Sequence, residues 1–429
     1  MKNIFVPSIP HLVHIETTYA CNQKCIFCYN PNRDMKIDRT VIDRIVMSIF
    51  ESWIPHVYLI GGEPSLLGSN RLNDYIELLS QRSSVTIVTN AQIYLEDLSQ
   101  KLACIGVPIH GINGVHDFLT GKNGSFMTAK KSIERYVARG FDVRCIPVLT
   151  KTNFDQIYDI IGLAKQLGME SVFVDRYEDG GIGSLRSAEL KPSLEQFRIA
   201  LGQMIKGRDD FGIPVGWGTA IPFCLDERLL TENMYADCGA GITFCAVNPH
   251  GQVRLCNQSE RIYGNILNER MEAIWHKPEL AEFRDLAWVE KPCTGCAVLA
   301  DCMCGCKVDA NHSSTFCIDY AVRENGRFCE PNALAQKQNA TPAIPNELRH
   351  FRANRYARLN TQFKEKYLIT RYQTIILDEN SVSLMKLILS GETEEKSLID
   401  MFVDSVDASE VRRFVSILEQ VEAIDIVKE

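Results

Sequence analysis

The chain has 429 residues, 45% of them hydrophobic, and its 46 basic against 54 acidic side chains leave a formal net charge of −8. That length fits two to three domains rather than one, and the acidic balance argues against a nucleic-acid surface. No stretch approaches the ~18 uninterrupted apolar residues of a membrane span, and the start MKNIFVPSIPHLVHIE lacks the character of a signal peptide, so a cytoplasmic protein without membrane attachment is expected.

From the start to about residue 220, short apolar runs (HLVHIETT, HVYLIGG, SVTIVTN, GVPIHGI, FDVRCIPVLT, SVFVDRY) alternate with amphipathic stretches such as Ile42 to Glu51, Leu72 to Gln81 and Ala129 to Ala138. Alternation of this kind indicates parallel βαβ units. Six units make a partial (β/α) barrel over residues 1–220 the simplest fold, with its chemistry at the C-terminal ends of the strands.

Sixteen cysteines in a reducing compartment point to thiolate ligation of metal rather than to disulfides. Cys21, Cys25 and Cys28 follow the first strand directly, and three thiolates can hold three irons of a cubane while the fourth iron stays open to an amino acid's amine and carboxylate. The next strand ends in Gly61-Gly62-Glu63-Pro64, where the glycines are expected to let a ligand approach and Glu63 to accept from an ammonium group.

This arrangement resembles the radical S-adenosylmethionine (SAM) superfamily, whose members pair Cys-x3-Cys-x2-Cys with a GGEP segment. The resemblance implies a [4Fe–4S] cluster on Cys21, Cys25 and Cys28 and reductive cleavage of S-adenosylmethionine to a 5′-deoxyadenosyl radical. It also implies a flavodoxin- or ferredoxin-like reductant. Phe27 would lie on the adenine side, and Thr89, Asn90 and Arg176, at later strand ends, would reach the ribose or the methionine carboxylate.

From about residue 221 to 337 the texture changes, and eleven of the sixteen cysteines fall between Cys224 and Cys329. Twelve residues separate Cys238 from Gly251 and four more precede Cys256; Cys293, Cys296, Cys302 and Cys306 follow with gaps of two, five and three. With GQVRLC, YGNI and EAIW around them, they resemble the SPASM extension of radical SAM enzymes. That resemblance implies up to two auxiliary [4Fe–4S] clusters: an inner one on Cys238, Cys256 and Cys306 with Cys245 as fourth ligand, and an outer one on Cys293, Cys296 and Cys302. Cys329 is favoured over Cys317 to complete the outer one. Cys104 and Cys145 read as buried thiols, and Cys224 and Cys304 have no assigned partner.

Residues 347–429 read as short strands, three helices and a last strand, with Asp378 to Ser381 as turn and N-cap. The segment resembles the winged-helix peptide-recognition element of the pyrroloquinoline-quinone chaperone type, in which a leader peptide adds to a sheet edge. The whole is thus expected to be a partial (β/α)6 barrel, a cysteine-rich iron–sulfur domain and a small α+β winged-helix domain.

The leading functional reading is oxidative modification, by cross-linking, of a ribosomally made precursor peptide. An anaerobic sulfatase maturase is the nearest alternative, but those enzymes resemble one another in an aspartate after the inner-cluster cysteine, where this chain has Asn257, and an amide cannot take a proton. Asp117, Asp175, Glu178 and Asp179 are candidate bases near strand ends. A non-catalytic iron–sulfur carrier is the third reading, against which the GGEP segment speaks.

Overall fold

A computed structural model of the chain describes residues 4–286, 288–307, 319, 321–322, 345, 348–391, 393–402 and 406–427. Cys317 and Cys329 lie outside the described residues.

The expected strands form β1 (Leu12–Glu16), β2 (His56–Ile60), β3 (Ser84–Val88), β4 (Cys104–Val107), β5 (Val143–Cys145), β6 (Val148–Leu149) and β7 (Ser171–Arg176). Pro147, which has no backbone N–H, separates β5 from β6 inside one apolar run. Neighbours β1, β2, β3, β4, β5 and β7 all pair in parallel. Amphipathic helices cover the outer face: Arg39–Glu51 is capped by the Asp38 side chain and buries Ile42, Ile45, Val46 and Ile49, the one-sided spacing of a helix on a sheet.

The sheet continues past both ends of the six expected units. A short strand, β8 (Val215–Trp217), pairs in parallel with β7; three residues are too few for alternation to reveal it. At the other end β9 (Phe244–Val247) pairs in parallel with β1, and β10 (Gln252–Arg254) and β11 (Ile262–Asn265) extend it antiparallel. The cysteine-rich region is therefore bonded along β1, which supplies the first cysteine loop.

The last part of the chain has its own core, built on Phe351, Leu368, Met385, Ile388, Leu398, Val411 and Val415 among others. Strand β12 (His350–Ala353) precedes an antiparallel meander of β13 (Arg358–Asn360), β14 (Lys366–Ile369) and β15 (Thr374–Leu377). Helix Glu379–Ser390 follows, its N-terminus held by the Asp378 carboxylate, which accepts from Ser381 N at 2.7 Å. Two further helices, Glu395–Phe402 and Ala408–Gln420, are flanked by β16 (Thr393–Glu394) and β17 (Ile424–Ile426), both antiparallel to β12.

This tail sits against the N-terminal ends of the barrel strands. At the first residue of β2, His56 Nε2 shares a 3.1 Å hydrogen bond with Thr374 Oγ1, and at the first residue of β3, Ser84 Oγ donates to Arg371 O at 2.7 Å. Arg371, in the turn between β14 and β15, donates to Ala103 O just before β4 and pairs with Asp142 and Glu170, just before β5 and β7. Its neighbour Tyr372 donates to Glu170 at 2.7 Å and lies against the Arg144 guanidinium at 4.6 Å. No sequence pattern signals this docking, which rests on side chains scattered one per strand.

Candidate active site

Cys21, Cys25 and Cys28 lie on the loop after β1, at the C-terminal end of the barrel, all half-buried and none in a disulfide. Hydrogen-bond donors face the sulfurs: Asn30 N lies 3.4 Å from Cys28 Sγ and Asn90 Nδ2 lies 3.8 Å from Cys21 Sγ. Burial pushes the Cys21 thiol up to about 11, with the charges of Glu63 and Cys28 adding to it, and burial followed by the neighbouring Cys28 and Cys21 raises Cys25. Cys21 and Cys25 are thus harder to ionise, and a bound cation would offset that cost for the cysteine loop.

Among the described residues no three His, Cys, Asp or Glu side chains converge as a single-ion site would require. A cubane asks for something different, because each thiolate binds its own iron. The loop fits that demand.

The GGEP segment adjoins the cysteine loop, although its glycines serve a purpose other than the expected one. A Cβ on Gly62 would come within 2.2 Å of Ala20 O, and one on Gly61, at φ +134, within 2.4 Å of Thr18 O. The backbone they admit is the cysteine loop itself, which accepts from Gly62 N at 2.6 Å and Glu63 N at 2.8 Å. Pro64 opens a short 3-10 turn. Glu63 is buried; its carboxylate accepts from Ser65 N at 2.9 Å, Thr89 Oγ1 at 2.6 Å and Asn90 N at 2.8 Å. Thr89 and Asn90 thus orient Glu63, and Asn90 reaches on to Asn22 at 2.7 Å. A second glycine segment, which has no diagnostic spacing, covers the loop: Gly183 N donates to Cys28 O at 2.9 Å, and Gly181, at φ +49, lies against Tyr29 O. Phe27 packs edge-on to His110 at 4.6 Å.

Between the two cysteine regions stands Glu16, the last residue of β1 and fully buried. It pairs with Arg254, accepts from Asn257 Nδ2 at 2.9 Å and accepts from Tyr19 OH at 3.2 Å. Asn257 Oδ1 in turn meets His14 Nδ1 at 2.7 Å. Burial raises the Glu16 carboxyl, and Arg254 followed by the hydrogen bonds opposes that rise. Asn257, noted above only for what an amide cannot do, here anchors Cys256's neighbourhood to β1, the strand that leads into the first cysteine loop. An acidic residue in register with Leu12 and His14 was the available signal for Glu16.

In the second region, burial pushes the Cys256 thiol up to about 12, and the neighbouring Glu178 and then Cys238 add to that rise. Lys307, next to Cys306, donates from Nζ to Cys238 O at 2.8 Å. Cys238 is thus a neighbour of Cys256, and the segment that carries Cys306 is tied to Cys238 through Lys307. Cys245, expected as their fourth partner, is directed elsewhere: in β9 it pairs with Val13 and is buried in the barrel core, with the Arg284 charge as its neighbour. Cys293, Cys302 and Cys304 form a second group, in which the Cys304 thiol donates to Cys293 and holds the latter below its ordinary value; Cys296 packs beside Cys302. Cys104 and Cys145 are buried as expected.

Arg176, expected at the cofactor, is buried in an ion pair: its Nη1 and Nη2 donate to Asp319 at 2.6 and 3.2 Å, and Asp319 also accepts from Cys306 N at 2.9 Å. The end of β7 is therefore tied to the inner cysteine group. Of the candidate bases, Asp117 accepts from Gly124 N at 2.6 Å and Phe126 N at 2.8 Å, and Asp179 pairs with Lys191 at 2.6 Å. Both are structural. Glu178 lies in reach of Cys256, and burial pushes the Asp175 carboxyl in β7 up to about 7.

Residues 15–164 match the family model of the radical SAM superfamily, and residues 238–297 match that of SPASM, an iron–sulfur cluster-binding domain. The mycofactocin maturase MftC of Mycolicibacterium smegmatis is 28% identical over 322 residues, 68% of this chain and 76% of its own length. The PqqA peptide cyclase of Xanthomonas euvesicatoria pv. vesicatoria is 22% identical over 355 residues, 78% and 93% of the two chains. Streptococcus suis SuiB, solved bound to its precursor peptide SuiA, shares the fold with a TM-score of 0.60 at 18% identity, covering 74% of this chain and 76% of that one. No described helix is long and apolar enough to cross a membrane.

Proposed function

Because this chain is a radical SAM peptide maturase with a SPASM iron–sulfur extension and uses S-adenosylmethionine and [4Fe–4S] clusters, we propose that it installs an oxidative cross-link in a ribosomally made precursor peptide. The observation that carries this reading is the continuity through Glu16, the buried carboxylate that ends the strand leading into the first cysteine loop and is held by Arg254 and Asn257, the residues flanking Leu255 and Cys256. Removing a hydrogen atom from a side chain leaves one electron to lose before a bond to a neighbouring group can close. An iron–sulfur acceptor beside the radical site answers that need.

Cys21, Cys25 and Cys28 would hold the radical-site cluster. Bound there with S-adenosylmethionine, the cluster supplies a 5′-deoxyadenosyl radical able to abstract hydrogen from carbon. Glu63, held by Thr89 and Asn90, would take the cofactor's ammonium, and Phe27 with His110 would screen the site from water. Cys238, Cys256 and Cys306 would hold the inner auxiliary cluster.

Residues 347–429 would hold the leader by strand addition. Among the described residues, strands β13 and β15 each pair on one side only, and β15 carries exposed Ile376; an unpaired edge with an apolar side chain is suited to a bound strand. SuiB offers the precedent of a relative with its precursor bound.

The protein reconstituted anaerobically with dithionite, S-adenosylmethionine and a precursor peptide should form 5′-deoxyadenosine and a peptide lighter by two hydrogens. No 5′-deoxyadenosine above a Cys21→Ala, Cys25→Ala, Cys28→Ala control would end the enzymatic reading. A carbonyl-bearing product that captures hydroxylamine would replace cross-linking by formylglycine formation.

A further inference from the structure

The two faces of β7 have different partners. Val174 pairs with Trp217, which stacks on Phe197 of the helix Leu194–Phe211 at 4.8 Å, so that face meets the helices. Phe173 and Asp175, at the alternate positions, point to the inside of the barrel, where Phe173 meets the Arg144 guanidinium of β5 at 4.6 Å. Tyr177, next on that face and just past the strand, stays in the ladder by donating from N to Leu149 O at 3.1 Å. It forms a small core with Leu119 and Leu190, against which Phe27 of the cysteine loop and Val148 pack, and Val148 is the residue paired with Asp175. Asp175 therefore stands on the inner face, one step below the cysteine loop. Room is kept for its carboxylate, since a Cβ on Gly218 would come within 2.2 Å of Asp175 Oδ1. The side chain is half-buried, and among the described residues its carboxylate has neither a hydrogen-bond nor an ion-pair partner. Beside it β6 presents Val148 and β8 presents Gly218, neither of which titrates, and the charge on β5, Arg144, lies against Phe173 one layer further from the loop. An enclosed carboxylate without a partner is costly to keep, and its vacant oxygens face the space where a substrate would enter.

We propose that Asp175 is the catalytic base that takes the proton released when the cross-link closes. The inference rests on the reading of the chain as a cross-linking maturase. In that reaction a peptide carbon gives one hydrogen atom to the 5′-deoxyadenosyl radical and one electron to an auxiliary iron–sulfur cluster. The O–H, N–H, S–H or C–H group that bonds to this carbon then sheds its proton to the Asp175 carboxylate, and the peptide ends two hydrogens lighter. The next residue of β7, Arg176, is tied through Asp319 to Cys306 N. One strand end would thus carry the proton acceptor and border the electron acceptor.

The test uses the full chain, reconstituted anaerobically and given dithionite, S-adenosylmethionine and a short peptide encoded beside its gene. Asp175→Asn keeps the shape of the side chain but cannot take a proton. Its cross-linked product should fall by about 100-fold or more, while 5′-deoxyadenosine still forms within a few-fold of the native amount, because hydrogen abstraction precedes the step that needs the base. Product formation by the native chain should rise with pH through about 7, and the residual activity of Asp175→Asn should lack that rise. Gly218→Ala, which displaces the carboxylate without removing it, should depress cross-linking in the same selective way. In the chain without clusters, the 13C resonance of the Asp175 carboxyl, identified by its absence from Asp175→Asn, should titrate above the ordinary aspartate range. Cross-linking within a few-fold of native in Asp175→Asn, or a loss of 5′-deoxyadenosine in step with the cross-link in both variants, would overturn the proposal. A native chain that yields neither 5′-deoxyadenosine nor a cross-link would instead end the maturase reading beneath it.

Discussion

Asp175 shows how one side chain can carry both a stability and a chemical signature. Its carboxyl is raised to about 7 because burial penalises the charged form. A carboxyl whose folded value exceeds its unfolded one contributes stability that is fully present below the ordinary aspartate range and is lost as pH rises through 7. Asp175→Asn should therefore gain stability over the native chain as pH rises from about 4 to 8, measured by denaturant unfolding across that range; parallel pH profiles would exclude a buried ionising carboxyl. The sequence named Asp175, Asp117 and Asp179 alike as carboxylates near strand ends. Only packing separates them, since Asp117 meets backbone N–H groups and Asp179 meets Lys191. Spacing carries no record of such partners. The glycines of the GGEP segment teach the same lesson: their presence was legible, but the neighbour that requires them is another stretch of chain, brought in by β1 pairing with β2.

Among the elements, β7 and β1 are the two strands whose last residues are joined to the second cysteine region, through Arg176–Asp319 and Glu16–Arg254. The Arg176–Asp319 pair is buried on both sides, its side chains 5% and 0% exposed. Removing one partner would strand a charge, which typically costs about 3–5 kcal/mol. Asp319→Ala should lower the unfolding free energy by about that amount and loosen the iron that Cys306 would hold as a proposed ligand, because its N–H loses its acceptor. Arg176→Met combined with Asp319→Leu should recover much of the stability, and failure of the double replacement to do so would show that Asp319 acts mainly through Cys306 N. The strands and helices themselves were readable because alternation and 3.6-residue spacing are local. The bond between β1 and β9 was hidden, since FCAV is short, apolar on both faces and more than two hundred residues from its partner.

On the scale of the whole molecule, the tail was legible as an independent core with its caps and helices, but its seat was not. Arg371 serves Ala103, Asp142 and Glu170 at once, from three separate loops. Arg371→Ala should speed amide hydrogen exchange in β14, β15 and the first residues of β3 and β4 while leaving iron content unchanged; unaltered exchange would mean that the remaining contacts hold the seat alone. Because the tail covers the end of the barrel opposite Cys21, Cys25 and Cys28, a peptide gripped there by its leader begins its path on the far side from the radical. Five residues of β1 amount to about 17 Å of strand, and with a loop at each end the peptide must cross at least ten or so extended residues of its own length. With the leader held as proposed, the enzyme would act as a ruler with a forbidden zone. Precursors whose modifiable residue is moved to within about six residues of the leader strand should bind undiminished yet go unmodified, and modification at that distance would place the leader elsewhere.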